Sequence, residues 1–226
     1  MIIINGVMFL CPFAIFGIVI NFINSYSGKQ LASLGLVVLL IYFINFFFLY
    51  ICIPVALKFH GLNPLPFLKK IIPVQLISMT TASSIASLPY NLEAAKKMGI
   101  SEKQSNFTIP LGAAVNMVGE IIKIITLTLF IAKMYGIDLG IDQIAILCFC
   151  AMFAAIGTAP IAGGALAVFA GILSNVGLPV DGLFVLLMID FILDPISTQA
   201  NVICDIAIAV MIDAKNGAID KTLYNS

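Results

Sequence analysis

The stretch MIDFILDPISTQANVICDIAIAVMID, residues 188–213, decides how the rest of the chain reads. It is apolar enough for a membrane span, yet it carries Asp190, Asp194, Asn201 and Asp205. Asp190 and Asp194 are four apart, as are Asn201 and Asp205. On a helix that spacing puts each pair on one face, so the polar groups form a stripe and aliphatic residues cover the rest. A carboxylate at bilayer depth costs a few kcal/mol or more, so three on one span need a cation, a cationic ligand group or water. The stretch therefore reads as the wall of a binding site.

Composition sets its surroundings. The 226 residues are 62% hydrophobic and only 10% charged, with a mean hydropathy of +1.14. A soluble domain carries about a quarter charged residues, so this is a polytopic membrane protein. The eleven basic residues are all lysines and balance eleven acidic ones, and no basic patch speaks for nucleic acid. Cys11, Cys52, Cys148, Cys150 and Cys204 lie in apolar segments without a CxxC pair. They read as small core residues, not disulfides or metal ligands. Met1–Ile23 has no charged leader region or plausible cleavage site, and reads as a span.

Outward from the decisive stretch, the pattern predicts two scaffold-type spans in residues 1–60, with a polar turn at Asn24–Lys29 and a kink at Pro54. His60 falls in the loop that follows and reads as solvated. Residues 65–98 form two short arms around a hydroxyl-rich tip, Thr80 to Pro89, and neither arm is long enough to span. That pattern predicts a re-entrant hairpin. A full-length span, 105–134, is interrupted by Pro110, Gly112 and Asn116 to Glu120. The same sequence of features recurs: a hairpin at 142–175 with its tip at Gly157 to Gly164, then the span 180–213. Residues 215–226 are a polar tail. The fold class is an all-α membrane protein. Its core, residues 61–214, pairs two re-entrant helical hairpins with broken helices in an inverted repeat, and such paired interruptions point to a transporter's substrate site.

Charge placement gives the orientation. Lys58, Lys69, Lys70, Lys96, Lys97, Lys103, Lys215 and Lys221 fall on one side, Lys29 and Lys133 on the other, and Lys123 within the membrane. The positive-inside rule then makes the tail cytoplasmic in a plasma-membrane protein.

Four ordered motifs resemble one family. Ser83-Ser84-Ile85-Ala86-Ser87-Leu88-Pro89 resembles the serine-rich first tip of the dicarboxylate/amino acid:cation symporters, the glutamate transporter family. Phe107 to Gly112 leading to Asn116-Met117-Val118-Gly119 is similar to its broken seventh span. Ile156-Gly157-Thr158-Ala159 is similar to its second tip, and Asp194, Asn201 and Asp205 to its eighth span. Members of this family are homotrimers built in inverted repeat, an architecture for which they are a standard example. Residues 1–60 resemble its fifth and sixth spans, and the first four have no counterpart in this sequence. The resemblance thus leaves a fragment, or one subunit of a split symporter, as an alternative to a self-sufficient carrier.

By that resemblance one sodium ion is held at Gly112, Asn116, Asn201 and Asp205, and a second at Ala114, Ala155, Ile156 and Thr158 near Met117. Oxygen ligands freed by a broken helix suit such hard cations. Where the family has an aspartate between Met and Gly this chain has Val118, which implies fewer coupled sodium ions. Substrate binding is implied for Ser83, Ser84, Asp194, Thr198 and Asn201, with Asp194 taking the amino group. The family's arginine for a side-chain carboxylate is Ser197 here, and its threonine after the Asn-Met-x-Gly motif is Glu120. The chain has no arginine, so the bidentate fork for a second carboxylate is missing and a neutral amino acid is implied.

Glu120 and Lys123 lie three apart and read either as a static ion pair or as functional groups. In the second reading Lys123 stands in for a lost cation, or Glu120 carries a proton. The leading function is sodium- or proton-coupled symport of an amino acid. An intramembrane enzyme using Asp190 and Asp194 is the minor alternative, disfavoured because two acids on one helix do not converge on a substrate from separate elements.

Overall fold

The computed structural model describes residues 17, 20, 28–157 and 165–226. Most of the first predicted span, and the second tip including Thr158, lie outside the described residues. Among those described, all regular structure is helical.

Helix α1 (Gly28–Phe47) continues through a π turn (Phe48–Cys52) into α2 (Ile53–Phe59). The π turn lies directly before Pro54, where a kink was expected. Proline has no N–H for the Tyr50 carbonyl, and the preceding turn widens, with the Ile53 N–H reaching the Phe48 carbonyl. Helix α3 (Pro64–Lys70) starts at Asn63, whose side chain accepts the Leu65 N–H at 3.2 Å.

The first predicted hairpin is α4 (Ile72–Thr81) packed on α5 (Ser84–Lys97). The irregular tip predicted over Thr80 to Pro89 shrinks to two residues. Ala82 is left-handed, with φ of 45°, and Ser83 is extended and accepts the Ala86 N–H at 3.3 Å. The remaining hydroxyls do not break the helices because they bond back into them. Thr81 donates to the Ile77 carbonyl at 2.8 Å and Ser87 to the Ser83 carbonyl at 2.9 Å.

Helices α6 (Glu102–Val115) and α7 (Val118–Met134) meet at a break confined to Asn116 and Met117; Pro110 and Gly112 sit inside α6. Then come α8 (Ile141–Gly157), α9 (Leu166–Asn175), a 3-10 turn (Val180–Gly182) and α10 (Leu183–Lys215). A second broken helix was expected here, and α10 corrects it by running unbroken through Pro195. Proline forfeits one bond to the Phe191 carbonyl. Phe191 and Ile192 are exposed beside that gap, every residue from Ile196 to Ile203 beyond it is buried, and the helix continues without interruption.

The tail is no free polar extension. Helix α11 (Lys221–Asn225) folds back onto α3, with Tyr224 buried and its hydroxyl donating to the Asn63 carbonyl at 2.9 Å. Lys70 donates to the carbonyls of Lys97, Leu223 and Tyr224.

Helix α10 is the axis, touching α1, α2, α4, α5, α6, α7 and α9. Its first half, Val185 to Leu193, packs in one apolar core with Ile124, Leu127, Ile131, Leu147, Phe169 and Leu173. Its second half, Ala200 to Val210, packs in another with Leu49, Leu57, Phe67, Ile71 and Ile109. Between the two cores lie the polar residues of α10 and the α6–α7 break. Large apolar side chains are exposed on α1 (Leu36, Leu39, Phe43) and on α8 (Phe149, Met152, Phe153), faces that suit lipid. Ala32–Phe59 and Glu102–Met134 are long and apolar enough to cross a membrane.

Candidate functional site

Two polar clusters fill the gap between the cores. The first is built on the broken helix. A break leaves backbone donors and acceptors without helical partners, and α10 supplies an acceptor for one of the donors. Asn201 accepts the N–H of Gly119, in the first turn of α7, at 2.7 Å, and its amide faces the Met117 sulfur at 3.4 Å. Asn116 donates to Asp205 Oδ1 at 2.7 Å. Two glycines permit this approach. A methyl group at Gly112 would overlap the Asp205 carboxylate, and one at Gly119 would overlap the Ser197 backbone. The second oxygen of Asp205, Oδ2, is buried without a hydrogen-bond partner. A buried anionic oxygen left so costs several kcal/mol unless a cation or proton meets it.

The second cluster lies about one helical turn further along α7, from Gly119 to Lys123, and about two turns back along α10, from Asn201 to Asp194. Lys123 projects from α7 into the carboxylates of α10. Its ammonium lies 2.7 Å from Asp190 Oδ1, 2.7 Å from Asp194 Oδ1 and 3.0 Å from Glu120 Oε2. The contact to Glu120 is an ion pair without hydrogen-bond direction. Lys123 is wholly buried, at 0% exposure, and the three acids are nearly so. This is a buried ion cluster with three negative groups around one positive group. The spacing of Asp190 and Asp194 made their shared face legible. The spacing of Glu120 and Lys123 suggested a pair, but that all four converge depends on how α7 packs on α10.

The other candidate residues divide. Ser84, Ser197 and Thr198 are buried, and Ser83 closes the first tip as the cap of α5. The expected first cation set, Gly112, Asn116, Asn201 and Asp205, comes together. Of the second, Met117 and Ala155 are buried while Ala114 and Ile156 have exposed side chains; Thr158 lies outside the described residues. Sequence reasoning missed Asp213, which accepts the N–H and hydroxyl of Ser101 at 2.5 and 3.0 Å and so fixes the start of α6. A lone acid at the end of an apolar run, 112 residues from its partner, carries no local signal of that role.

A chain that is helical throughout its described regular structure, with acids buried along a central helix beside a broken one, is consistent with a membrane transporter. A model of the sodium:dicarboxylate symporter family matches residues 1–215, and the chain belongs to that family. A proton/sodium-glutamate symport protein of Bacillus caldotenax is 29% identical over 213 residues, 94% of this chain and 51% of the relative. The proton/glutamate-aspartate symporter of Escherichia coli is 30% identical over 209 residues, 92% of this chain and 48% of the relative. An excitatory amino acid transporter 4 of Rattus norvegicus is 31% identical over 152 residues, 67% of this chain and 27% of the relative. The chain thus spans about half the length of the bacterial relatives. The family is one of integral membrane symporters, not enzymes, and the names of the two bacterial relatives give protons or sodium as the coupled cations.

Proposed function

We propose that this chain carries out cation-coupled symport of a small amino acid by alternating access, with Gly112, Asn116, Asn201 and Asp205 holding a sodium ion. The observation that carries the ion site is the buried Asp205 Oδ2 without a hydrogen-bond partner, on a carboxylate that takes the Asn116 amide at the α6–α7 break and lies against Gly112. Hard monovalent cations take such oxygen donors. In this reading α4–α5 and α8–α9 are re-entrant arms that gate the site. Ala114, Ala155, Ile156 and Thr158 form a second sodium site near Met117. Ser83, Ser84, Asp194, Thr198 and Asn201 face the substrate.

A neutral side chain suits the site better than an acidic one, although the named relatives carry glutamate or aspartate. The chain has no arginine to pair a second carboxylate, and the Glu120–Asp190–Asp194 cluster keeps an excess of negative groups that repels one. Residues 60–70, residues 97–103 and the tail are joined at one end of the bundle by the bonds of Lys70, Asp213 and Tyr224. Most of the lysines cluster there, which supports a cytoplasmic face for that end. The test is uptake of radiolabelled serine, alanine and glutamate into proteoliposomes under a sodium gradient, a proton gradient or neither. Sodium-driven uptake of a neutral amino acid is expected. Equal uptake in all three conditions would contradict symport.

A further inference from the structure

The Lys123 ammonium carries three N–H donors, and the structure surrounds it with three carboxylates from two helices. Its four-carbon stem and charge are fully enclosed, so the ammonium is no snorkelling surface lysine. Removing it would leave three buried acids converging on one point, each nine-tenths or more buried, and Glu120 Oε2 already lacks a hydrogen-bond donor. Among the described residues there is no group of three His, Cys, Asp or Glu side chains arranged for a metal ion, and the occupant here is a primary ammonium.

We propose that Glu120, Asp190 and Asp194 form an ammonium-binding seat that Lys123 fills from within the chain. A solute's amino group then reaches these acids only in competition with a tethered side chain. This deepens the transport reading and rests on it for its consequence: the amino group contributes less to substrate selection than an open acidic site would allow. A tethered competitor is always present at high effective concentration, so the native chain is blind to simple alkylammonium ions while the emptied seat is not.

Thermal unfolding of the detergent-solubilised chain tests this without requiring transport. Ethylammonium chloride is titrated against Lys123→Ala and the native chain, with tetramethylammonium, which has no N–H, as control. A saturable rise in the midpoint is expected for Lys123→Ala with ethylammonium alone, and no such rise for the native chain. If Lys123→Ala does not fold, Lys123→Ala combined with Glu120→Gln removes one charge of each sign and is expected to show the same response. A folded variant that treats the two ions alike overturns the seat, as does a double variant that ethylammonium neither restores nor stabilises. Failure of sodium-driven uptake by the native chain would instead count against the transport reading.

Discussion

At the residue scale, the break in the α6–α7 helix is held open by side chains from elsewhere. Asn201 caps the Gly119 N–H from a different helix, so Asn201→Ala leaves a buried donor unsatisfied. A loss of about 1–3 kcal/mol in unfolding free energy is expected, read from thermal or denaturant unfolding in micelles. An Asn201→Ala chain as stable as the native one would show that water or another group replaces the cap. Gly112→Ala drives a methyl group into the Asp205 carboxylate. It is expected to abolish sodium-dependent stabilisation, checked as the midpoint shift on replacing choline with sodium. The stripe of Asp190, Asp194, Asn201 and Asp205 was legible in the sequence because helical periodicity fixes which residues share a face. Lys123 between Asp190 and Asp194 was not, because sequence gives a helix its faces but not the rotation at which it meets its neighbour.

At the scale of elements, helix starts and stops followed local chemistry where that chemistry was unopposed. Asn63 before Pro64 opens α3, and Ser101 opens α6. The misreadings also have local causes. Thr80, Thr81 and Ser87 looked like loop formers, yet each hydroxyl bonds a carbonyl one turn back, so the helix continues through them. A second broken helix was expected in the last span, and α10 instead runs on through Pro195 as one helix.

The docked α11 was invisible because its partners, Asn63 and Lys70, are more than 150 residues away. Burial pushes its Tyr224 hydroxyl up to about 12 from the usual 10.0. A phenol that keeps its proton longer when folded stabilises the docked tail fully below pH 10, and loses that contribution as pH rises towards about 12. Protease cleavage of the tail is therefore expected to accelerate over that interval in the native chain. A Tyr224→Phe chain should lack this step. An equal acceleration in both would contradict the assignment. Asp213→Ala, which frees both Ser101 donors, is expected to cost about 1–3 kcal/mol in the same unfolding measurement.

At the scale of the whole molecule, two apolar cores share one long helix, and polar groups gather where the cores meet. Repetition in the sequence, apolar arms interrupted by small and hydroxyl residues that recur in order, led to an expectation of two halves each with a broken helix. It did not foretell that one half has a broken helix and the other a continuous one. That difference sets the break between α6 and α7 against one continuous helix, with the Gly119 N–H on Asn201 and the buried Asp205 Oδ2, which has no hydrogen-bond partner, on a carboxylate beside Gly112 and Asn116, where we place the sodium ion. Binding of radioactive sodium to the purified chain, native and Asp205→Asn, tests this most directly. Saturable binding by the native chain and its loss in Asp205→Asn is the expected result. Native chain that takes up no sodium, or Asp205→Asn chain that binds as the native does, would contradict it.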